Sequence, residues 1–262
     1  MTVDAGRATS QARERVLERI RSAAERAGRD LEGITLVAVT KTVEPDRIRA
    51  AIEAGITTFG ENRVQEAIAK QASVARAVRS DIQWHLIGPL QSNKARKAVE
   101  TFDVIETIDS VDLARRLDRI VGELRPDRTL PVLLQVNVDR DAAKAGFDPP
   151  DMDAALEELA GLDNVRIDGL MTVGRLVAGP EEARPTFRAL RELSERLRSS
   201  HERLGPALSM GMTDDFEVAI EEGATIVRIG RALFGERPHR HDGGERERAG
   251  KADRGGRDSH TL

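Results

Sequence analysis

The chain has 262 residues, of which 41 are Lys or Arg and 45 are Asp or Glu, and its formal net charge of −4 excludes a strongly basic nucleic-acid binder. Apolar residues make up 39% of the sequence, which is enough to form a buried core in one domain of ordinary barrel size. Because the chain contains no Cys, disulfides, thiolate nucleophiles and Cys-ligated metal centres are excluded.

The amino-terminal segment from Thr9 to Gly28 predicts an amphipathic helix. Small and apolar residues recur in it every three or four positions, Arg and Glu fill the other faces, and Gly28 marks its end. This charged start lacks the apolar run of a secretory signal, and no window of the chain reaches the roughly 18 apolar residues of a membrane span. We therefore expect a cytoplasmic protein.

After this helix, eight short apolar runs alternate with longer amphipathic stretches. The runs predict strands at Ile34–Val39, Thr57–Phe59, Ile82–Ile87, Val104–Ile108, Val132–Val136, Val165–Met171, Ala207–Met210 and Thr225–Ile229. The stretches between them predict helices at Pro45–Ala54, Asn62–Val78, Asn93–Glu100, Val111–Leu124, Pro150–Ala160, Pro180–Leu197 and Asp214–Glu222. Strands that are apolar on both faces and separated by helices pair in parallel, so eight units predict an α/β fold, a closed (β/α)₈ TIM barrel preceded by an extra helix. An open doubly wound sheet is the alternative, although such sheets usually have fewer strands.

The barrel is expected to occupy residues 1–235 as a single domain. Residues 236–262 are rich in Arg, Asp, Glu and Gly and contain very few apolar residues, so they predict a disordered charged tail. Three of the five His residues, His239, His241 and His260, lie in this tail, where a solvated role is favoured over metal binding. No metal site is assigned.

In a parallel barrel, functional residues collect where the strands end, because the loops that follow the strands surround the mouth. Lys41 comes directly after the first predicted strand. Apolar walls around an amine disfavour its protonated form, and a neutral amine can attack an aldehyde to give a Schiff base. An exposed lysine at a strand end is the structural alternative, and position alone favours it.

Three further residues near predicted strands have two interpretations each. Asn62 follows the second strand and could either cap the next helix, with Gln65 completing a capping box, or contact a ligand oxygen. Arg228 lies inside the apolar eighth strand, so its guanidinium needs a carboxylate partner or a ligand acceptor. His85 in the third strand is expected to be a neutral, hydrogen-bonded core residue, although a proton-handling role stays open. Lys144 lies in a loop and is expected to be peripheral.

Two loops predict an anion-binding site. The run Ser-Met-Gly-Met-Thr from Ser209 to Thr213 lies between the seventh strand and the next helix, and it offers two hydroxyls and backbone N–H groups. Gly230 follows the eighth strand and allows close approach of the backbone to a ligand. Phosphate sites of TIM barrels frequently use the loops after strands seven and eight, whereas an ordinary turn would explain either loop alone.

Six runs of the sequence carry a resemblance to a known family. They are Leu-Val-Ala-Val-Thr-Lys-Thr, Phe-Gly-Glu-Asn-Arg-Val-Gln-Glu, Trp-His-Leu-Ile-Gly-Pro-Leu-Gln-Ser-Asn-Lys, Lys-Ala-Gly-Phe, Gly-Leu-Met-Thr and residues 208–235. In these runs the chain resembles the pyridoxal phosphate homeostasis protein family, single-domain relatives of the barrel domain of alanine racemase. The resemblance implies that pyridoxal 5′-phosphate (PLP) is the cofactor and that it forms a Schiff base with Lys41. It also implies that the phosphate is surrounded by Ser209, Gly211, Thr213 and Gly230. The pyridine nitrogen would face Arg228, and the ring would lie near Asn62. Thr213 stands where the family usually has Ser, which preserves the hydroxyl.

The implied site favours binding of PLP over catalysis. Arginine only donates hydrogen bonds, so a pyridine nitrogen facing Arg228 stays unprotonated and the cofactor becomes a weaker electron sink. Alanine racemase uses a tyrosine from a second domain as the opposite base, and this chain contains no Tyr. We therefore expect a monomeric, non-catalytic protein that buffers PLP and delivers it to PLP-dependent apoenzymes, with no nucleic-acid or membrane partner. The alternatives are a PLP-dependent amino-acid racemase of low activity and an interaction protein whose bound PLP controls a partner.

Overall fold

The structure is a computed structural model that describes residues 2–75, 81–175 and 177–235. In this part of the chain, eight parallel strands follow one another in sequence order around a closed barrel, and the last pairs with the first. The strands are β1 Thr35–Val39, β2 Thr58–Glu61, β3 Gln83–Leu86, β4 Val104–Ile108, β5 Leu130–Gln135, β6 Val165–Met171, β7 Ala207–Ser209 and β8 Ile226–Ile229. The predicted TIM barrel is confirmed, and the open-sheet alternative is wrong. The tail predicted for residues 236–262, with its three His residues, lies outside the described residues.

Helices surround the barrel, and most of them begin or end within a few residues of the predicted bounds. They are α1 Thr2–Arg26, α2 Pro45–Glu53, α3 Val64–Val74, α4 Ala95–Thr101, α5 Val111–Leu124, α6 Met152–Leu159, α7 Arg184–Arg198, α8 Phe216–Glu221 and α9 Arg231–Phe234. Short 3₁₀ turns at Ser92–Lys94, Pro149–Asp151 and Pro180–Ala183 precede α4, α6 and α7, and another lies at Leu31–Gly33. Helix α9 was not predicted, because four residues are too few to show a helical period.

The extra amino-terminal helix α1 packs on α2, α8 and α9. Its buried stripe, which includes Val16 and Ile20, follows the predicted spacing. Gly28 adopts a φ of +63° just after the helix, and the N–H of Arg29 returns to the carbonyl of Ala24. Glycine suits this position because other residues resist a positive φ.

The barrel wall separates an apolar layer from a partly polar interior. On the helix-facing side, Phe59 and Trp84 occupy paired positions of β2 and β3 and stack with their ring centroids 5.4 Å apart. Side chains alternate along a strand, so the neighbouring His85 points to the other face. His85, Glu106, Ser209 and Arg228 are all buried and hydrogen-bonded to one another, although β4 and β7 are not neighbouring strands. These bonds therefore cross the inside of the barrel.

Candidate functional site

The loops after β1, β7 and β8 meet at the carboxyl end of the barrel. A Cβ atom added to Gly230 would lie 3.5 Å from the Cβ of Val39, which places the loop after β8 beside the residues that lead into Lys41. The N–H of Arg228 donates to the carbonyl of Gly211 at 3.0 Å, which joins β8 to the loop after β7. The structure thus brings the segment that leads into Lys41 close to the two loops that the sequence singled out.

Lys41 is half-buried and follows Thr40, which is fully buried. The hydroxyl of Thr40 donates to Glu61 Oε1 at 2.6 Å, and its carbonyl accepts from Lys70 Nζ at 2.6 Å. Lys70 Nζ also lies 2.5 Å from Glu61 Oε1 in an ion pair that is almost completely buried. This cluster, which we call the Glu61–Lys70 pair, fixes the backbone on which Lys41 is carried. Sequence reasoning missed both of its charged residues.

Asn62 does not cap the following helix. Strand β2 continues to Glu61, Arg63 takes the N-cap position of α3, and no side chain bonds to the free N–H groups there. The predicted capping box of Asn62 and Gln65 is therefore wrong, because the longer strand moves the helix start towards the carboxyl end. The Oδ1 atom of Asn62 is buried and has no hydrogen-bond partner among the described residues. A buried amide oxygen without a partner is unusual, and it leaves the ligand-contact interpretation of Asn62.

Arg228 is 4% exposed and is held at both terminal nitrogens. Its Nη1 donates to the Oγ of Ser209 at 2.5 Å, and its Nη2 donates to the carbonyl of Thr172 at 2.8 Å. Ser209 in turn donates to Glu106 Oε2 at 2.5 Å, and His85 Nδ1 lies 2.6 Å from Glu106 Oε1. Glu106 is thus the carboxylate near Arg228, and the hydroxyl of Ser209 bridges the two groups.

The charges of this network support one another. Burial raises the pKa of Glu106, but the hydrogen bond and charge of His85 and the charge of Arg228 outweigh it and hold this pKa below its ordinary value. Burial lowers the pKa of Arg228, and the charges of Glu106 and Asp215 oppose that change. Burial also raises the pKa of Asp215. Glu106 is therefore the ionised carboxylate that compensates the buried guanidinium.

The side chain of Ser209 lies in the barrel interior, and the place of this residue at the phosphate stays a prediction. Ser209 is fully buried, and its hydroxyl is engaged with Arg228 and Glu106. Among the candidate residues of this loop, Thr213 then offers the other hydroxyl, and it is half-buried. Gly211 has a φ of +91°, and a Cβ there would lie 2.5 Å from the Cβ of Ala219, so only glycine fits this turn.

Helix α8 begins later than the predicted Asp214, and its start is shaped by Asp215. The Oδ1 atom of Asp215 accepts from the N–H of Met212 at 2.6 Å, which closes the turn before the helix. Arg231, the first residue of α9, forms an ion pair with Asp214 and so connects the loops after β8 and β7. The two loops of the predicted anion site are therefore held against each other.

His85 and Lys144 occupy structural positions. His85 is a buried, hydrogen-bonded residue as expected, but its Nε2 has no partner in the described ranges. Lys144 Nζ donates to the carbonyls of Val173 and Gly174 at 3.2 and 3.1 Å, which ties the loop after β5 to the loop after β6.

Among the described residues, no group of three or more His, Asp or Glu side chains could hold a metal ion. No helix in the same residues is long and apolar enough to cross a membrane.

Comparisons with known proteins extend over most of the chain. Residues 13–238 match the family described as alanine racemase, N-terminal domain. The chain is 42% identical over 225 residues to the pyridoxal phosphate homeostasis protein of Aquifex aeolicus, which covers 86% of this chain and 96% of that protein. It is 44% identical over 228 residues to the protein of the same name from Pseudomonas aeruginosa, with 86% and 94% covered.

Two solved structures are also similar to this chain. PipY of Synechococcus elongatus, solved with PLP bound, is 45% identical with a TM-score of 0.74 and covers 84% of this chain and 100% of its own. Alanine racemase of Corynebacterium glutamicum is 17% identical with a TM-score of 0.61, covering 87% of this chain and 62% of that one. The latter similarity shows a shared barrel fold only.

Proposed function

We propose that this chain, which belongs to the pyridoxal phosphate homeostasis protein family, binds PLP reversibly at the carboxyl end of its barrel and takes part in PLP homeostasis without substantial catalysis. The observation that carries the proposal is the 45% identity, over 84% of this chain, to a barrel solved with PLP bound. Its named relatives are pyridoxal phosphate homeostasis proteins, which supports the physiological half of the proposal.

The residues at the mouth fit this cofactor. When bound, PLP would supply an aldehyde, and Lys41 would hold the cofactor covalently through its amine. Thr213, Gly211 and Gly230 would surround the phosphate, since their loops join at the position where barrels bind phosphate. Asn62 has a buried amide oxygen without a partner in the described part of the chain, and a ligand group that donates a hydrogen bond would satisfy it.

Arg228 would face the ring nitrogen as a hydrogen-bond donor. A guanidinium carries five N–H groups, and the bonds to Ser209 and Thr172 use two of them. Because arginine keeps its proton, the ring nitrogen that it contacts remains an acceptor, and stabilisation of a carbanion on the ring is weak. The chain also contains no Tyr to act as the opposite base of a racemase. These properties support binding and release in preference to turnover.

Equilibrium binding tests the proposal. Wild type should bind PLP and change its absorption spectrum, whereas Lys41→Ala should lose the spectral change. Lys97→Ala is the matched control, because Lys97 is an exposed lysine of α4. Binding that is unchanged in Lys41→Ala would contradict the role of this amine.

Delivery and the absence of catalysis need separate measurements. The loaded protein should reactivate a PLP-dependent apoenzyme even when a scavenger removes free PLP. Exchange of the α-hydrogen of alanine in heavy water should stay near the rate of free PLP, and robust exchange would favour the racemase alternative. The monomeric state and the cytoplasmic location stay predictions, to be checked by light scattering and by fractionation of cells.

A further inference from the structure

Four buried side chains form one hydrogen-bonded line across the barrel interior. His85 on β3, Glu106 on β4, Ser209 on β7 and Arg228 on β8 are each at most 4% exposed. Two of these strands, β4 and β7, are separated in the barrel, and Ser209 is 103 residues from Glu106 in sequence. We call this set the Glu106 network.

The directions of its hydrogen bonds follow from the donors that each group carries. Arg228 can only donate, so Ser209 Oγ accepts from it and gives its single hydrogen to Glu106 Oε2. Glu106 is ionised and can only accept, so the Nδ1 atom of His85 must carry the hydrogen that points at Oε1. Both oxygens of Glu106 are thereby used, and Nδ1 of His85 is a hydrogen-bond donor.

This arrangement holds Arg228 in one plane. Ser209 and Thr172 anchor its two terminal nitrogens, and a planar guanidinium anchored at two points has little freedom to turn. A buried guanidinium is also costly unless a negative charge compensates it, and Glu106 provides that charge through the hydroxyl of Ser209.

We propose that Glu106 is the positioning residue of the cofactor site: through Ser209 it fixes the orientation and charge of Arg228, and through Arg228 it keeps the ring nitrogen of bound PLP unprotonated. His85 completes the network by holding the second oxygen of Glu106. This inference rests on the proposed function, because it assigns the ring nitrogen to Arg228. It assigns Ser209 to the support of Arg228 and not to the phosphate.

Two variants test the network. Glu106→Gln removes the compensating charge, and Ser209→Ala removes the bridging hydroxyl while leaving the charge. Each should raise the dissociation constant for PLP about tenfold or more, which corresponds to the loss of one hydrogen bond to a charged group. Each should also move the ¹⁵N resonance of labelled pyridine nitrogen in bound PLP, because the bond from Arg228 is weakened. A residue with only a structural role would not change that resonance.

Glu222→Gln is the matched control for the loss of a largely buried carboxylate. Glu222 pairs with Arg184 and Arg188 beside α8 and α7, outside the barrel interior. It should leave the dissociation constant and the ¹⁵N resonance unchanged.

A measurement on the wild-type apoprotein keeps the inference testable if a variant does not fold. Two-dimensional ¹⁵N NMR of the imidazole rings should show a hydrogen on Nδ1 of His85. An unprotonated Nδ1 would overturn the network, as would unchanged PLP affinity and an unchanged ¹⁵N resonance in both folded variants. Failure of wild type to bind PLP would instead overturn the proposed function, so the two failures are distinguishable.

Discussion

Replacement of Lys70 by Met should strongly destabilise the protein. Lys70 Nζ contacts Glu61 Oε1 at 2.5 Å and the carbonyl of Thr40 at 2.6 Å, and the side chain of Glu61 is 0% exposed. Glu61 Oε2 already has no partner within the residues described. After the substitution, the hydroxyl of Thr40 is the only hydrogen-bond donor that the described residues still offer to this carboxylate.

The size of the effect follows from the burial of this pair. Removal of one partner from a buried ion pair costs about 3–5 kcal/mol, because the remaining charge stays uncompensated. For a domain of this size, each kcal/mol lowers the melting temperature by roughly 2–4 °C, so we expect a decrease on the order of 10 °C. The double variant Glu61→Gln/Lys70→Met should recover part of this loss, since it leaves no unpaired charge.

Urea denaturation followed by circular dichroism measures the free energy of unfolding of wild type, Lys70→Met and the double variant. Lys97→Met is the control, because it removes an exposed lysine from α4. A loss below about 1 kcal/mol in Lys70→Met, the size typical of exposed pairs, would refute the buried arrangement. A double variant less stable than Lys70→Met would also refute it.

Three other substitutions give measurable outcomes. Gly211→Ala should destabilise the protein by about 1–3 kcal/mol and weaken PLP binding. The φ of Gly211 is +91°, and the new Cβ would collide with Ala219. Urea denaturation and a binding titration measure the two effects. Phe59→Ala should lower the free energy of unfolding by about 3–5 kcal/mol, because it removes a fully buried ring that stacks on Trp84; a smaller loss would mean that the core collapses into the cavity. Glu106→Gln should be less stable than wild type at neutral pH, and the difference should narrow as the pH falls below 4.5, the ordinary value for this carboxyl. The pKa of Glu106 is lowered in the folded state, so protonation of this carboxylate in acid removes its contribution to stability. Urea denaturation at pH 7 and in acid measures the difference in free energy of unfolding between wild type and the variant, and a difference that did not change with pH would contradict this reasoning.

The barrel could be predicted because its strands leave a local signal. Val104–Ile108 and Val165–Met171 are mostly apolar runs of strand length, and their bounds match β4 and β6. Strand β2 was predicted too short, because Gly60 and Glu61 interrupt the apolar run although both lie in the strand. The same error produced the wrong helix cap at Asn62.

Local pattern could have indicated single members of the Glu106 network and of the Glu61–Lys70 pair, but not which residues they contact. Glu106 lies in the run Val-Ile-Glu-Thr-Ile, where a charge inside an apolar strand was a usable signal of the same kind as Arg228. Its partner Ser209 comes from another part of the sequence, and only closure of the barrel brings the two side chains together across the interior. Lys70 occupies the buried face of α3 together with Val64, Ala67 and Val74, and this spacing was a second signal.

Borohydride reduction of the PLP-loaded protein, followed by peptide mapping, tests the central claim most directly. The account predicts one stable covalent adduct on Lys41, lost in Lys41→Ala and retained in Lys97→Ala. An adduct at another lysine, or no adduct in a protein that binds PLP, would contradict it.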